Sequence, residues 1–509
     1  MAMALDTERA RVGHLLRRAG FGSTEAELDE YTALGFPIGM RRDRVPGVAR
    51  NAPRPCRRIN CTDTSMALDN VPSQIAHLLR RAGFGATEAE LAQYVSLGFD
   101  GALDRLLNPE LVDDSATDQL LTALTTDLGD PKKIEAAKFW WFSRMLYTQR
   151  PLQEKMTLFW HTHFATANSK VANAVLMLQQ IQLFRDSGLG NFESLLQKVT
   201  RDPAMLIWLD NRLNRKGAPN ENYAREVQEL FTVGIGNYSE QDIHEAARAF
   251  TGHTLDKALT YVFNKGQHDA GQKTFQGQTG NFDADDILAT LVRNPAAARF
   301  ITTKLFTFFV YDNPDSSTID RLADTFSRTN FDIRAVLRDL FGGPEFLSPR
   351  AFHAQIKQPA DLVIGSLKSL NVQNVGPDAT QVLRRMGQDL LNPPDVSGWK
   401  GGPAWINSTT LFERFNFGNR LAMGREAAKP YFTDVPGQVQ AYGITSPDGL
   451  VDYYLGSLVD GDATPEARQA LIDYLNASGP LALDSSGALD LKARGLVHLA
   501  LATPSYQLG

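Results

Sequence analysis

Residues 219–253 read PNENYAREVQELFTVGIGNYSEQDIHEAARAFTGH, and their order of polar, apolar and glycine positions predicts two consecutive helices. Asn220 or Asn222 can cap the first helix, whose apolar positions end at the break made by Gly234. Ser239 opens the second helix, because a serine followed three residues later by an acidic side chain satisfies free N–H groups at a helix start. Two helices are therefore expected to meet across a short turn.

The rest of the chain carries the same helix signals. Thr87 begins another capping pattern, and Leu, Ala, Arg and Gln at helical spacing dominate elsewhere. The exception is 260–278, where TYVF and KTFQ lie among three glycines in the manner of a small β-hairpin or a β-edged loop. The predicted fold class is mainly α: a large helical domain with a small β-hairpin insertion and one or two short strand pairs.

The composition is that of a globular protein, with 43% hydrophobic and 22% charged residues in 509. No stretch approaches the roughly 18 consecutive apolar residues of a membrane helix, so no membrane segment is expected. The charged N-terminus lacks the apolar core of a secretory signal, which predicts a cytoplasmic protein. A net charge of -6 offers no basic surface for nucleic acid. Because Cys56 and Cys61 both precede residue 66, a disulfide framework or cysteine metal site is not expected downstream.

The N-terminus contains a partial duplication. Residues 3–36 return at 66–99 with about two thirds of the positions identical, so 1–36 is predicted to be a partial duplicate of 66–99. Residues 37–65 are rich in arginine and lack aromatic side chains, which predicts a basic disordered linker. This linker is either a tether for an acidic partner or a disordered relic of the duplication or of a mistaken reading frame. Residues 66–509 are then the helical domain.

Seven motifs, in order along 66–509, resemble those of one bacterial family. They read HLLRRAGFG at 77–85, EKMTLFWHTHFAT at 154–166, DPAMLIWLDN at 202–211, PNENYAREVQELFTVGIGNY at 219–238, EAARAFTGH at 245–253, HDAGQKTFQGQTGN at 268–281 and GQDLLNPPDVSGWKGGPAWIN at 387–407. The set is similar to the family catalogued as domain of unknown function 1800. Because members of that family are often encoded beside sulfatase-like proteins of a family numbered 1501, the resemblance implies a partner of that kind. His253 stands where the family more often has tryptophan.

The first candidate site is the pair of imidazoles at His161 and His163. On a strand both rings would lie on one face and suit a metal ion, whereas on a helix they lie about 200° apart. The preceding residues favour a helix, so one ring of the pair is expected to face a site. The alternative is that each is a hydrogen-bonded histidine packed beside Trp160 and Phe164.

The second candidate is PNENYARE at 219–226. Glu221 and Arg225 share one face of the predicted helix, and Glu226 lies on the next. Glu221 or Glu226 could bind a cation or act as a general base, with Arg225 as an anion anchor. The alternative is a capped helix that carries an i,i+4 ion pair.

The third candidate is His268-Asp269, on a glycine-flanked loop with Lys273 four residues later. Asp269 can orient the imidazole of His268, which could then bind a metal ion or carry protons. The alternative is a structural loop in which the two neighbouring side chains point apart.

Further along, NPPDVSGW at 392–399 predicts a rigid turn that serves as a wall, although Trp399 and Trp405 could also line a pocket for a sugar or another flat ligand.

These motifs support different hypotheses about function. The first is a metal-assisted hydrolase that uses a divalent cation, with His161, His163 and His268 as metal ligands or proton carriers and Glu221, Arg225, Glu226 and Asp269 as catalytic residues. The second is a non-catalytic binding or assembly protein that acts with a sulfatase-like partner, in which the motifs hold helices together. A holder of haem or another cofactor through one histidine ranks third. Convergence of His163, Glu221 and His268 around an open cleft would favour the enzyme.

Several enzyme classes are not expected from the motifs. The sequence has no phosphate-binding P-loop, no dinucleotide-binding glycine fingerprint after a strand, no zincin motif and no nucleophile elbow. Nucleotide hydrolysis, Rossmann cofactors, zincin proteolysis and the elbow hydrolases therefore lose support.

Overall fold

The structure is a computed structural model that describes residues 68–124, 128–427, 429–477, 481 and 486–509. The predicted duplicate at 1–36 and the predicted linker at 37–65 lie outside the described residues. The described chain divides into two compact units. The main unit comprises Asn70–Asn371, Val375–Glu413 and Leu508–Gly509, and the C-terminal unit comprises 68–69, Val372–Asn374 and Arg414–Gln507.

Helices make up most of the described chain, which confirms the mainly α fold class. In the first half of the main unit they are α1 (Val71–Arg81), α2 (Glu88–Val95), α3 (Gly98–Leu107), α4 (Ser115–Thr122), α5 (Ile134–Tyr147), α6 (Pro151–His163), α7 (Asn168–Val171), α8 (Ala174–Ser187), α9 (Phe192–Thr200), α10 (Pro203–Trp208), α11 (Glu221–Glu229) and α12 (Glu240–Ala249). Short 3₁₀ turns span Pro109–Leu111 and Asn211–Leu213.

Four short strands follow α12, and helices resume after them. The strands are β1 (His253–Leu255), β2 (Tyr261–Phe263), β3 (Lys273–Phe275) and β4 (Gln278–Gly280). The later helices are α13 (Ala284–Arg293), α14 (Pro295–Phe309), α15 (Ser316–Arg328), α16 (Ile333–Gly342), α17 (Pro359–Ser369), α18 (Asp378–Arg385), the 3₁₀ turn Gly402–Trp405, α19 (Ser408–Ala422), α20 (Val435–Ala441), α21 (Pro447–Val459), α22 (Pro465–Asn476), α23 (Ser486–Leu501) and α24 (Pro504–Gln507). Among the described helices, none combines the length and the apolar character needed to cross a bilayer.

The predicted helix starts at α11 and α12 are present. Asn220 caps α11 by accepting a hydrogen bond from the backbone N–H of Asn222 at 3.0 Å. Ser239 and Asp242 form the capping box of α12. The two helices pack on each other, and the rings of Tyr223 and Phe250 meet edge to face at 5.1 Å.

Both short strand pairs are antiparallel hairpins, but the two runs predicted at 260–278 do not pair with each other. β2 pairs with β1, and β3 pairs with β4. The reason is turn chemistry within each hairpin. Asp256 accepts backbone hydrogen bonds from Ala258 and Thr260, and Gln276 and Gly277 both have positive φ, as a two-residue hairpin turn requires.

An aromatic core fixes α6 within the main unit. Trp160 is fully buried, and its ring lies 5.5 Å from Phe164 and 5.8 Å from Phe192 in stacked contacts. Its indole N–H donates to the carbonyl oxygen of Gly188 at 2.8 Å. Because the indole is held both by packing and by this hydrogen bond, the rotation of α6 about its axis is fixed.

The C-terminal unit has its own buried core, including Tyr454, Leu455 and Val497. Arg494 of α23 is 2% exposed and donates to the carbonyl oxygens of Ala422, Gly424 and Thr433 at 2.9 to 3.0 Å. A buried guanidinium therefore satisfies three backbone acceptors within this unit.

Candidate functional site

His161 and His163 lie on α6 and point in different directions, as helical geometry requires. His161 is fully buried, and its ring lies 5.3 Å from Trp141 and 5.6 Å from Trp399. Neither ring nitrogen has a hydrogen-bond partner among the described residues. Burial lowers the pKa of His161 to about 3, so the ring is neutral and packs as an aromatic group.

His163 is held in one tautomer. Its Nε2 lies 3.1 Å from the carbonyl oxygen of Phe231, which can only accept, so Nε2 carries the proton. The Nδ1 lone pair then accepts a hydrogen bond from Nζ of Lys304 at 3.3 Å. Burial, followed by the charge of Lys304, holds the pKa of His163 well below its usual value, so this imidazole is neutral as well.

Lys304 is the charged partner of His163, and sequence reasoning missed it. It projects from α14, and its Nζ also donates to the carbonyl oxygen of Leu230 at 3.2 Å and lies 4.6 Å from the ring centre of Phe300. Burial lowers the pKa of Lys304 to about 8. The signal in the sequence was a lysine inside the otherwise uncharged run FITTKLFTFFVY at 300–311.

His163 and Lys304 open onto a cleft of about 660 Å³, here called the Lys304 cleft. Its lining combines aromatic side chains with polar and charged side chains. The lining residues are Phe159, Thr162, His163, Lys304, Thr307, Phe308, Asp312, Ala354, Gln355, Ile356, Gln358, Asp361, Ser397, Trp399, Lys400, Gly401, Gly402, Pro403 and Trp405. Trp399 and Trp405, which the sequence offered as residues that could line a pocket, both belong to this lining.

The turn before Trp399 brings the aromatic wall against α6. Gly398 has φ +79°, and a Cβ at this position would overlap the carbonyl oxygen of Thr162. Only glycine fits this backbone conformation at so close an approach. Asp395 braces the same turn by accepting from the backbone N–H of Ser397 at 2.8 Å. The NPPDVSGW motif is thus both a rigid turn and one wall of the cleft.

A second polar group of the cleft, Asp361, is also absent from the sequence prediction. Its Oδ1 lies 2.5 Å from Nζ of the buried Lys155, and its Oδ2 accepts from Gln358 at 3.2 Å. Gln388 donates to Gln358 at 2.9 Å and accepts from the backbone N–H of Ala360 at 2.8 Å. This network fixes Gln358 and Asp361 in the cleft lining, and no local motif marks it because Lys155 and Gln388 lie far from both residues in the chain.

Glu221 and Arg225 lie on the solvent-accessible face of α11 and do not line the Lys304 cleft. Arg225 makes a two-pronged ion pair with Glu240 of α12, at 3.0 and 2.7 Å. A carboxylate oxygen of Glu221 lies 3.1 Å from Nδ1 of His244. Glu226 is half-buried, and its pKa is raised first by burial and then by the charge of Glu229. Ion pairs of this kind are what the helix-stabilising alternative describes. Such surface pairs contribute roughly 0–1 kcal/mol to stability.

His268 and Asp269 fasten their loop to α12 and likewise lie outside the cleft. Nδ1 of His268 donates to the carbonyl oxygen of Thr251 at 2.9 Å. Asp269 accepts from Nε of Arg248 at 2.8 Å, and this hydrogen bond lowers its pKa to about 2. Lys273 donates to the carbonyl oxygen of Asp269 at 2.6 Å. Asp269 therefore pairs with an arginine, and His268 bonds to the backbone.

The structure thus places the three predicted segments in separate hydrogen-bond networks. Of the seven residues predicted as catalytic or metal-binding, His163 is the one that lines the Lys304 cleft. Within the described part of the chain, no three histidine, cysteine, aspartate or glutamate side chains form a group that could hold a metal ion. The metal-ligand assignment of His161, His163 and His268 stays a prediction.

A family model described as a protein of unknown function (DUF1800) matches residues 77–508. The chain belongs to the DUF1800 family. The match covers most of the chain and every element that builds the Lys304 cleft, which confirms the resemblance drawn from the seven motifs. Searches of curated proteins and of solved structures returned no match. Membership in DUF1800 therefore groups the chain with its relatives without assigning a reaction.

Proposed function

We propose that this DUF1800 protein is a binding protein that holds a sugar-type ring in the Lys304 cleft. The observation that carries the proposal is the pair of indoles, Trp399 and Trp405, on the wall of a cleft that also presents short polar side chains. The apolar face of a sugar ring packs on an indole, while hydroxyl groups need partners such as Thr307 and Gln355. The volume of about 660 Å³ lies within the usual range for small-molecule sites.

The surroundings of the other motifs support binding over metal-assisted hydrolysis. His161 packs against the indoles of Trp141 and Trp399. Arg225 forms an ion pair with Glu240, and Asp269 forms one with Arg248. These are the contacts expected where polar motifs hold helices and loops together. They favour the second hypothesis drawn from the sequence.

The test of this proposal is a Trp405→Ala variant. We expect at least one of glucose, N-acetylglucosamine and cellobiose to change the tryptophan fluorescence of the wild type saturably. Loss of a central aromatic contact should weaken that binding by about 10-fold or more, and Trp405→Phe should restore most of it. Titrations of both variants measure the effect.

The matched control is Trp140→Ala, because Trp140 is a partly exposed tryptophan outside the cleft lining. It should bind as the wild type does. The proposal is wrong if none of the three sugars binds, or if the Trp140 variant loses affinity as much as the Trp405 variant.

Metal-assisted hydrolysis is tested by elemental analysis of the purified protein beside a His163→Ala, His268→Ala double variant. The hydrolase hypothesis predicts near-stoichiometric divalent metal in the wild type and its loss in the double variant. Equal metal content in both proteins would remove these histidines as ligands. The cytoplasmic location and the sulfatase-like partner of the 1501 family also stay predictions.

A further inference from the structure

Lys304 carries a positive charge that no carboxylate within 4 Å neutralises among the described residues. Its two hydrogen-bond acceptors, Nδ1 of His163 and the carbonyl oxygen of Leu230, are both uncharged. The ring of Phe300 covers one side of the ammonium group at 4.6 Å. An ammonium has three N–H donors, so one donor remains for a ligand in the cleft.

The other charged side chains of the cleft do not neutralise Lys304. Asp361 already forms an ion pair with Lys155, whose Nζ lies 2.5 Å from its Oδ1. Asp312 and Lys400 carry opposite charges. Both side chains are exposed, so the solvent screens their charges. The half-buried part of the cleft therefore presents a single free charge, and that charge is positive.

We propose that the ligand of the cleft bears an oxyanion, a carboxylate, sulfate or phosphate group, which forms a charge-assisted hydrogen bond with Lys304. This inference rests on the proposed binding function and specifies the ligand as an acidic or esterified sugar. A charge-assisted bond in a partly dehydrated site is stronger than one between neutral groups. Burial lowers the pKa of Lys304, as expected for an ammonium group in a partly dehydrated site.

The His163 contact suits this role. A neutral imidazole that donates from Nε2 keeps its Nδ1 lone pair directed at the ammonium group. It holds Lys304 in place without cancelling the charge, which a carboxylate at the same position would do. The arrangement holds the Lys304 ammonium group in position to bind an anionic ligand in the cleft.

The experiment is calorimetric titration with sodium acetate, sodium sulfate and sodium phosphate at low ionic strength. We expect saturable binding of at least one anion, and the order of the three affinities identifies the preferred oxyanion. Lys304→Met should weaken binding about 10- to 100-fold, since it removes a hydrogen bond to a charged group. Lys304→Arg keeps the charge and should retain more affinity than the methionine variant.

The control is Lys257→Met, at an exposed lysine outside the cleft lining, which should bind within about 3-fold of the wild type. Lys304→Gln serves as a second variant if the methionine variant does not fold. The inference is overturned if the wild type binds none of the three anions, or if the Lys257 variant loses as much affinity as the Lys304 variants.

A comparison of glucuronate with glucose separates this inference from the proposed function. If both sugars bind through Trp405 and Lys304→Met affects them equally, the ring proposal stands and the anion inference falls. If the inorganic anions bind through Lys304 but no sugar binds, the anion inference stands and the ring proposal falls.

Discussion

Replacing Trp160 with alanine should lower the free energy of unfolding by about 3–5 kcal/mol, the range for removing a large buried aromatic side chain. The indole is fully buried between Phe164 and Phe192, and the variant would leave a cavity at the centre of this aromatic core. It would also leave the carbonyl oxygen of Gly188 without its donor. Urea unfolding followed by circular dichroism measures the change.

Two companion variants make the Trp160 result specific. Trp160→Phe keeps most of the packing but removes the N–H donor, so a smaller loss of about 1–2 kcal/mol is expected. Leu111→Ala changes a side chain that is 82% exposed and should fall within about 0.5 kcal/mol of the wild type. If Trp160→Ala costs no more than Leu111→Ala, the aromatic core does not fix α6 in the way described.

Replacing Arg81 with methionine should also be costly, by about 3–5 kcal/mol, because three backbone acceptors lose a charged donor. Arg81 is 5% exposed and donates to the carbonyl oxygens of Phe309, Val310 and Gly509, at 2.8, 2.6 and 3.0 Å. Two of these acceptors end α14, where a cation also meets the negative end of the helix dipole. The same unfolding measurement applies.

The Arg81 variant should affect the cleft as well as stability. Gly509 exchanges backbone hydrogen bonds with Gln355, and Gln355 lines the Lys304 cleft. We therefore expect weaker anion or sugar binding in Arg81→Met at temperatures where it remains folded. The exposed Arg384→Met is the control and should change neither property. Unchanged stability in Arg81→Met would contradict the capping role.

The local part of the fold was predictable because its causes are local. A capping side chain acts within three residues of itself, so the starts of α11 and α12 could be assigned from Asn220 and Ser239. The divergence of His161 and His163 follows from the helical repeat alone. Strand partners were harder, because β2 could pair forward or backward and the turn at Asp256 decides between them.

The candidate site was predicted only in part, because its residues are distant in sequence. His163, Trp399 and Trp405 were recognisable as unusual residue types in compact motifs. Glu221, Arg225 and Asp269 looked equally suited to chemistry, and the structure places an opposite charge close to each of them. A motif shows which groups are available, whereas the partners of those groups are set by packing.

The sequence by itself determined the helical fold class, the helix caps, the family and the aromatic residues of the cleft wall, since each depends on composition, period or motif. The tertiary structure alone placed Lys304 against His163, 141 residues away, and Lys155 against Asp361, 206 residues away. It also divided the described chain into two units. The physical reason is that contacts between residues distant in sequence depend on how the buried faces of helices pack. A local sequence pattern does not show which charged side chains of two different helices will meet.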